Sequence, residues 1–139
     1  MTSQIYRSVK LVLQNSTNEN LTVQGVAVLA GRWADKREPL QGLLIPEQSA
    51  GEWASISMDL GTGTAAYVRF GSSRGYLTIR WTLPWAGAFA YAVEDVPGLQ
   101  IDVDVNEAHP DAVIMLASIS EKNVRRDDVR ASEKGMAKT

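Results

Sequence analysis

The chain has 139 residues, 45% hydrophobic and 22% charged, which fits one globular domain with a real core and is too short for two. Residues 1–119 hold 8 basic and 12 acidic side chains, net −4, whereas residues 120–139 hold 6 and 4, net +2. An acidic body excludes the electrostatic footprint of a nucleic-acid binder, and the lack of cysteine excludes disulfides and thiolate metal sites.

The opening residues, Met1 to Arg7, lack the charged and then apolar regions of a secretory signal. No apolar run approaches the ~20 residues of a spanning helix. The expectation is a protein soluble in the producing cell or released from it, meeting a target-cell membrane from outside.

The dominant sequence period is two. Val9, Leu11 and Leu13 alternate with polar neighbours, which predicts a half-buried strand. The turn formers Asn15 to Asn20 follow, then a run from Leu21 to Ala30, so the pair reads as a hairpin with a longer loop. Apolar residues on both faces of that second run predict a strand covered on both sides. Residues 31–52, with two prolines and three glycines, read as an irregular excursion, and Trp53 as a residue following the Gly51 turn.

Ile56, Met58 and Leu60 alternate with Ser55, Ser57 and Asp59, another strand pattern. Gly61 to Thr64 breaks it, Ala65 to Phe70 starts the next strand, and Gly71 to Gly75 is a turn. The cleanest strand follows, with Leu77, Ile79, Trp81 and Leu83 on one face; Trp81 is expected in the core. Pro84 to Tyr91 reads as a surface loop, since proline cannot donate to a central ladder. Leu99 to Val105 and Ala112 to Ile119 complete the set. The whole predicts an all-β, antiparallel β-sandwich of about seven or eight short strands over residues 1–119. Residues 120–139 read as a charged, mobile C-terminal tail, in which Glu121 and Arg125 have helical spacing.

No catalytic constellation emerges, and an enzyme is not expected. His109 precedes Pro110 in a turn with no nucleophile paired to it. Asp102, Asp104, Asn106 and Glu107 lack the glycine and distal glutamate of a calcium hand, so no metal and no cofactor are expected. Gly61 to Thr64 has no lysine for a phosphate loop. The aromatic residues remain: Trp33, Trp53, Trp85, Phe89 and Tyr91 lie in loop-like stretches. Singly, such rings plug the ends of a sandwich; together they hint at a recognition surface, because tryptophan and tyrosine suit the wet edge of a lipid layer.

Gly31-Arg32-Trp33, Gly63-Thr64 with Tyr67, and Trp81 leading to Pro84-Trp85-Ala86-Gly87 with Tyr91 occur in an order that resembles the aegerolysin family. The likeness is greatest to bacterial members that serve as the small component of binary insecticidal toxins. It spans roughly residues 5–119 by order of elements. It implies a small acidic β-sandwich that binds particular membrane lipids, such as sphingolipids, and recruits a larger pore-forming subunit. The family's loop tryptophans map onto Trp33 and Trp85, and Arg32, Phe89 and Tyr91 share those turns. Ala86-Gly87 departs from the glycine-serine of the fungal turn, and the charged tail lies outside the pattern, so the lipid headgroup is not implied. Two other readings stay open: a lectin using Asp102, Asp104 and Asn106, and an interaction subunit whose aromatic loops contact only protein.

Overall fold

The computed structural model describes residues 4–122, which contain strands and turns and, among the described residues, no helix. In chain order the strands are β1 (Arg7–Asn15), β2 (Leu21–Ala30), β3 (Arg32–Trp33), β4 (Leu44–Ile45), β5 (Ala50–Ser57), β6 (Thr64–Ser72), β7 (Gly75–Leu83), β8 (Ala90–Glu94), β9 (Leu99–Asn106) and β10 (Ala112–Glu121). They form two five-stranded sheets: sheet A in the order β3-β5-β1-β10-β9, and sheet B in the order β4-β2-β6-β7-β8. The chain is thus an all-β sandwich. Two of its strands, β3 and β4, are two-residue edge pieces, and the other eight correspond to the expected number.

Period-two alternation explains why these segments pair face to face. Val9, Leu11 and Leu13 of β1 and Val113, Met115, Ala117 and Ile119 of β10 meet Val68, Phe70, Leu77, Ile79 and Trp81 of sheet B, all buried. Removing that apolar surface from water is the main force holding the layers together. The free edges are short or charged: β8 has five residues, and β9 sets Asp102 and Asp104 outward, both of which discourage further strand pairing.

Four expectations need correction. β1 and β2 are not a hairpin: β1 lies in sheet A between β5 and β10, β2 in sheet B beside β6 and β4, and residues 16–20 carry the chain between sheets. One pairing, β1 with β10, is parallel, which joins the two ends of the domain in one sheet. β2 is not covered on both sides, since Val26 and Val28 pack on the core while Leu29 is exposed. β5 runs earlier than its apolar alternation suggests, and it ends before Met58. Trp53, Ser55 and Ser57 are its buried inward row, so Trp53 is a core residue on a strand.

The inversion on β5 has a chemical cause. The Trp81 indole N–H donates to Ser55 Oγ at 2.9 Å, and the Thr64 hydroxyl donates to the same oxygen at 2.8 Å, all within the core. A buried indole needs such an acceptor, so a serine occupies a position that apolarity alone would give to an aliphatic residue. At the far end of the domain β10 continues through Glu121, and residues 123–139, with the charged tail and Arg125, lie outside the described residues.

Candidate functional site

One end of the sandwich gathers the start of β1, the 58–63 loop, the 84–89 loop and the 107–111 loop. The Tyr6 N–H donates to the Ser57 carbonyl at 2.8 Å, and the Ser8 N–H to the Asp111 carbonyl at 2.9 Å, which ties the N-terminal approach to both neighbours. The backbone of Gly63 presses on Leu83 and Pro84, bringing the 58–63 loop against the entry to the Trp85 turn.

Trp85 is the centre of this end. The Arg7 guanidinium sits 4.2 Å from its ring centroid and donates through Nη2 to the Trp85 carbonyl at 2.7 Å. Tyr6 meets the same ring edge to face at 5.8 Å. Arg7 is itself fixed by Asp111 at 3.4 Å. A cation over the ring, a T-shaped partner and a backbone bond together immobilise a loop tryptophan that proline alone would leave free to move. Trp85 is half-buried by these contacts. At the same end Leu60 is 74% exposed in the 58–63 loop, and Ile5, next to Tyr6 in the chain, is 54% exposed just before β1. Gly87, at φ 120°, closes the Pro84-Trp85-Ala86-Gly87 turn in a conformation that favours glycine.

Trp33 is placed differently. Gly31 takes φ 78°, and a Cβ there would collide with the Ile56 carbonyl oxygen, so only glycine lets the chain cross from β2 in sheet B to β3 in sheet A. Trp33 then pairs with Ser55 in register and turns its ring inward, edge to face with Trp81 at 6.2 Å. It is half-buried against the core, an end plug. Arg32, its neighbour, is exposed. Phe89 also packs on the core and stacks on Tyr91 at 6.3 Å. Tyr91 lies on strand β8, not in a loop, opposite Trp81 in register and 43% exposed.

The five expected residues therefore do not form one cluster. Trp85 belongs with Tyr6 and Arg7, Trp33 with Trp81, and Phe89 with Tyr91; among the described residues no aromatic pair links these groups. Sequence reading missed Tyr6 and Arg7 because they reach Trp85 from across the fold, and Ile5 and Leu60 because isolated aliphatic residues in turns carry no motif. The carboxylates of β9 do not converge either. Asp102 accepts from Gln100 Nε2 at 3.0 Å, and Asn106 Oδ1 is used by the Ala108 N–H at 2.9 Å. No group of three metal-ligating side chains occurs among the described residues. His109 is exposed in the 107–111 loop.

Neither a family model nor a curated protein matches the chain by sequence. By structure it is similar to the lipid binding protein Nakanori, with a TM-score of 0.68 over 85% of this chain and 73% of that one, at 10% identity. The likeness shows a shared sandwich fold.

Proposed function

We propose that this chain binds membrane lipid through the end of the sandwich centred on Trp85, and that it is the small subunit of a two-component, pore-forming insecticidal toxin. The observation that carries the lipid reading is the company Trp85 keeps. A tryptophan held by Arg7 and Tyr6 shares this end of the sandwich with two exposed aliphatic side chains, Ile5 and Leu60. An end that offers aromatic and aliphatic groups together suits the headgroup boundary of a bilayer, where the ring sits among polar groups and the aliphatic tips reach the acyl region. That Nakanori, with the same fold, is a lipid binding protein supports it.

Arg32 stands exposed on the same end of the chain path and supplies planar donors for a lipid phosphate. Trp85, Arg32 and the aliphatic tips of Ile5 and Leu60 make the direct contacts; Trp33 and Phe89 brace the loops from within; Tyr91 extends the surface onto β8. Docked copies then recruit a larger subunit that forms the pore. This last step rests on the aegerolysin likeness of the Gly31-Arg32-Trp33 and Pro84-Trp85-Ala86-Gly87 turns.

Two measurements separate the two halves of the reading. Co-sedimentation with sphingolipid-containing vesicles is expected for the native chain and lost in the Trp85→Ala variant, whose circular dichroism is unchanged. Dye release from the same vesicles is expected only when a large toxin subunit is added. Vesicle binding that survives the Trp33→Ala, Trp85→Ala double substitution would reject this end as the membrane surface.

A further inference from the structure

The outer face of sheet B carries a feature that membrane docking at the Trp85 end does not use. In β6 and β7 the residues alternating with the core row are Tyr67, Arg69, Tyr76, Thr78 and Arg80, so they point away from the sandwich. The face carries Arg69 and Arg80 with one carboxylate, Glu94 of β8 opposite Thr78, whereas residues 4–122 as a whole hold 9 basic and 13 acidic side chains. β2, the next strand of this face, is uncharged. The domain is acidic, yet this face is cationic.

Its centre is a hollow of about 170 Å³ lined by Gln24, Gly25, Tyr67, Arg69 and Tyr76. Gly25 stands opposite Arg69 in register, and its missing side chain opens the floor between β2 and β6. Arg69 is held from two sides. Its Nε donates to the hydroxyl of Thr78, a buried residue, at 3.3 Å, and its guanidinium lies 5.7 Å from the Tyr76 ring centroid. Its terminal nitrogens make no hydrogen bond or ion pair among the described residues; Glu94, which borders the face opposite Thr78, forms no ion pair with it. A planar fork fixed at one edge and free at the other is preorganised for bidentate capture of a carboxylate or sulfate.

We propose that this hollow binds an acidic saccharide, its charged group on Arg69 and its sugar ring against Tyr67 and Tyr76. Three features favour a sugar over an anionic lipid. The flanking groups are tyrosines, which present a flat apolar face and a hydroxyl to a pyranose. No aliphatic side chain lines the hollow to receive an acyl chain. Sharing Gln24 and Tyr76 with the hollow is a broader trough of about 560 Å³ walled by Asn20, Thr22 and Arg74, polar side chains suited to further sugar groups. The inference is independent of the Trp85 reading.

The test titrates the full chain calorimetrically with sialyllactose, a sulfated lactose and a glucuronyl disaccharide, with lactose as the neutral control. At least one acidic sugar is expected to bind, and lactose about tenfold more weakly or worse. Arg69→Gln is expected to lose about tenfold or more, and Arg69→Lys nearly as much, because lysine keeps the charge without the fork. Trp85→Ala is expected to leave saccharide binding unchanged. The proposal is overturned if none of the three acidic sugars binds, if lactose binds equally well, or if Arg69→Gln binds as the native chain does. It is also overturned if Arg69 instead governs capture of phosphatidylserine vesicles while every sugar fails.

Discussion

At the end where β1 finishes, Asn15 is completely buried and its side chain is fully engaged: the two Nδ2 hydrogens are shared among the carbonyls of Glu19, Ile45 and Pro46 at 2.9–3.1 Å, and Oδ1 accepts from the Thr17 N–H and hydroxyl. Gln48 adds a bond to the Thr17 carbonyl, and Glu19 takes two from Ser73, so loops of both sheets are laced together. The opposite end is closed by an arginine over the Trp85 ring and a tyrosine edge to face with it, with Leu60 and Ile5 left in water. Polar lacing satisfies backbone groups that a crossing between sheets would otherwise strand. Aromatic closure leaves apolar surface uncovered. One end holds the sandwich shut; the other is free to meet something.

If that division is correct, damage at each end has a different signature. Asn15→Ala strands several buried polar groups and is expected to lower stability by about 3–5 kcal/mol, the largest effect considered. Urea or thermal unfolding measures it, and the fraction still folded should bind vesicles as the native chain does. A loss of vesicle affinity in that folded fraction would mean the two ends are coupled. Trp85→Ala should do the reverse. Withdrawing one aromatic ring from a lipid interface is expected to weaken vesicle binding about ten- to a hundredfold, with a stability loss of about 1–2 kcal/mol for the cation–π and edge-to-face contacts, well below that of Asn15→Ala.

Legibility in the sequence divides along the same line. The core was readable wherever burial coincides with apolarity, as for Leu77, Ile79 and Trp81 on β7. It failed on β5, where Ser55 and Ser57 face inward because the Trp81 indole and the Thr64 hydroxyl require a partner. The hairpin expected of β1 and β2 failed for a related reason: Asn15 to Asn20 carry good turn chemistry, but Asn15 spends it on linking the sheets. At the Trp85 end the two glycine-bearing turns stood out, since Gly31 and Gly87 occupy positive φ. That Trp33 and Phe89 lean into the core, while Tyr6 and Arg7 clamp Trp85, depends on neighbours far away in sequence, which no local pattern encodes.

Leu60 sharpens the comparison because, exposed and outside the core, it can be replaced without disturbing packing. Leu60→Ser removes an aliphatic tip from the proposed membrane surface and should weaken vesicle binding about three- to tenfold. Unfolding should be unchanged within about 0.5 kcal/mol, the range of a substitution on open surface. Equal binding by this variant would confine the contact to Trp85 and its immediate partners.

The smallest expected effect distinguishes the Trp85 end from the arginine face of sheet B. Residues 4–122 carry 9 basic and 13 acidic side chains, so the body as a whole gains nothing from a negative bilayer. The Arg32→Gln variant lacks the one cation placed on lipid phosphate. Its adhesion, driven by Trp85, Leu60 and Ile5, should then change by no more than about twofold as sodium chloride rises from about 0.05 to about 0.5 M, because burial of apolar groups is not screened. Binding of an acidic sugar to exposed Arg69 should fall several-fold over the same range, since its charge is open to counterions. Vesicle binding by the Arg32→Gln variant that collapses with salt would shift the membrane contact from the aromatic end to Arg69 and Arg80 of sheet B. The exposed apolar residues at the end would then need another partner, and a protein subunit would be the chemistry that fits them.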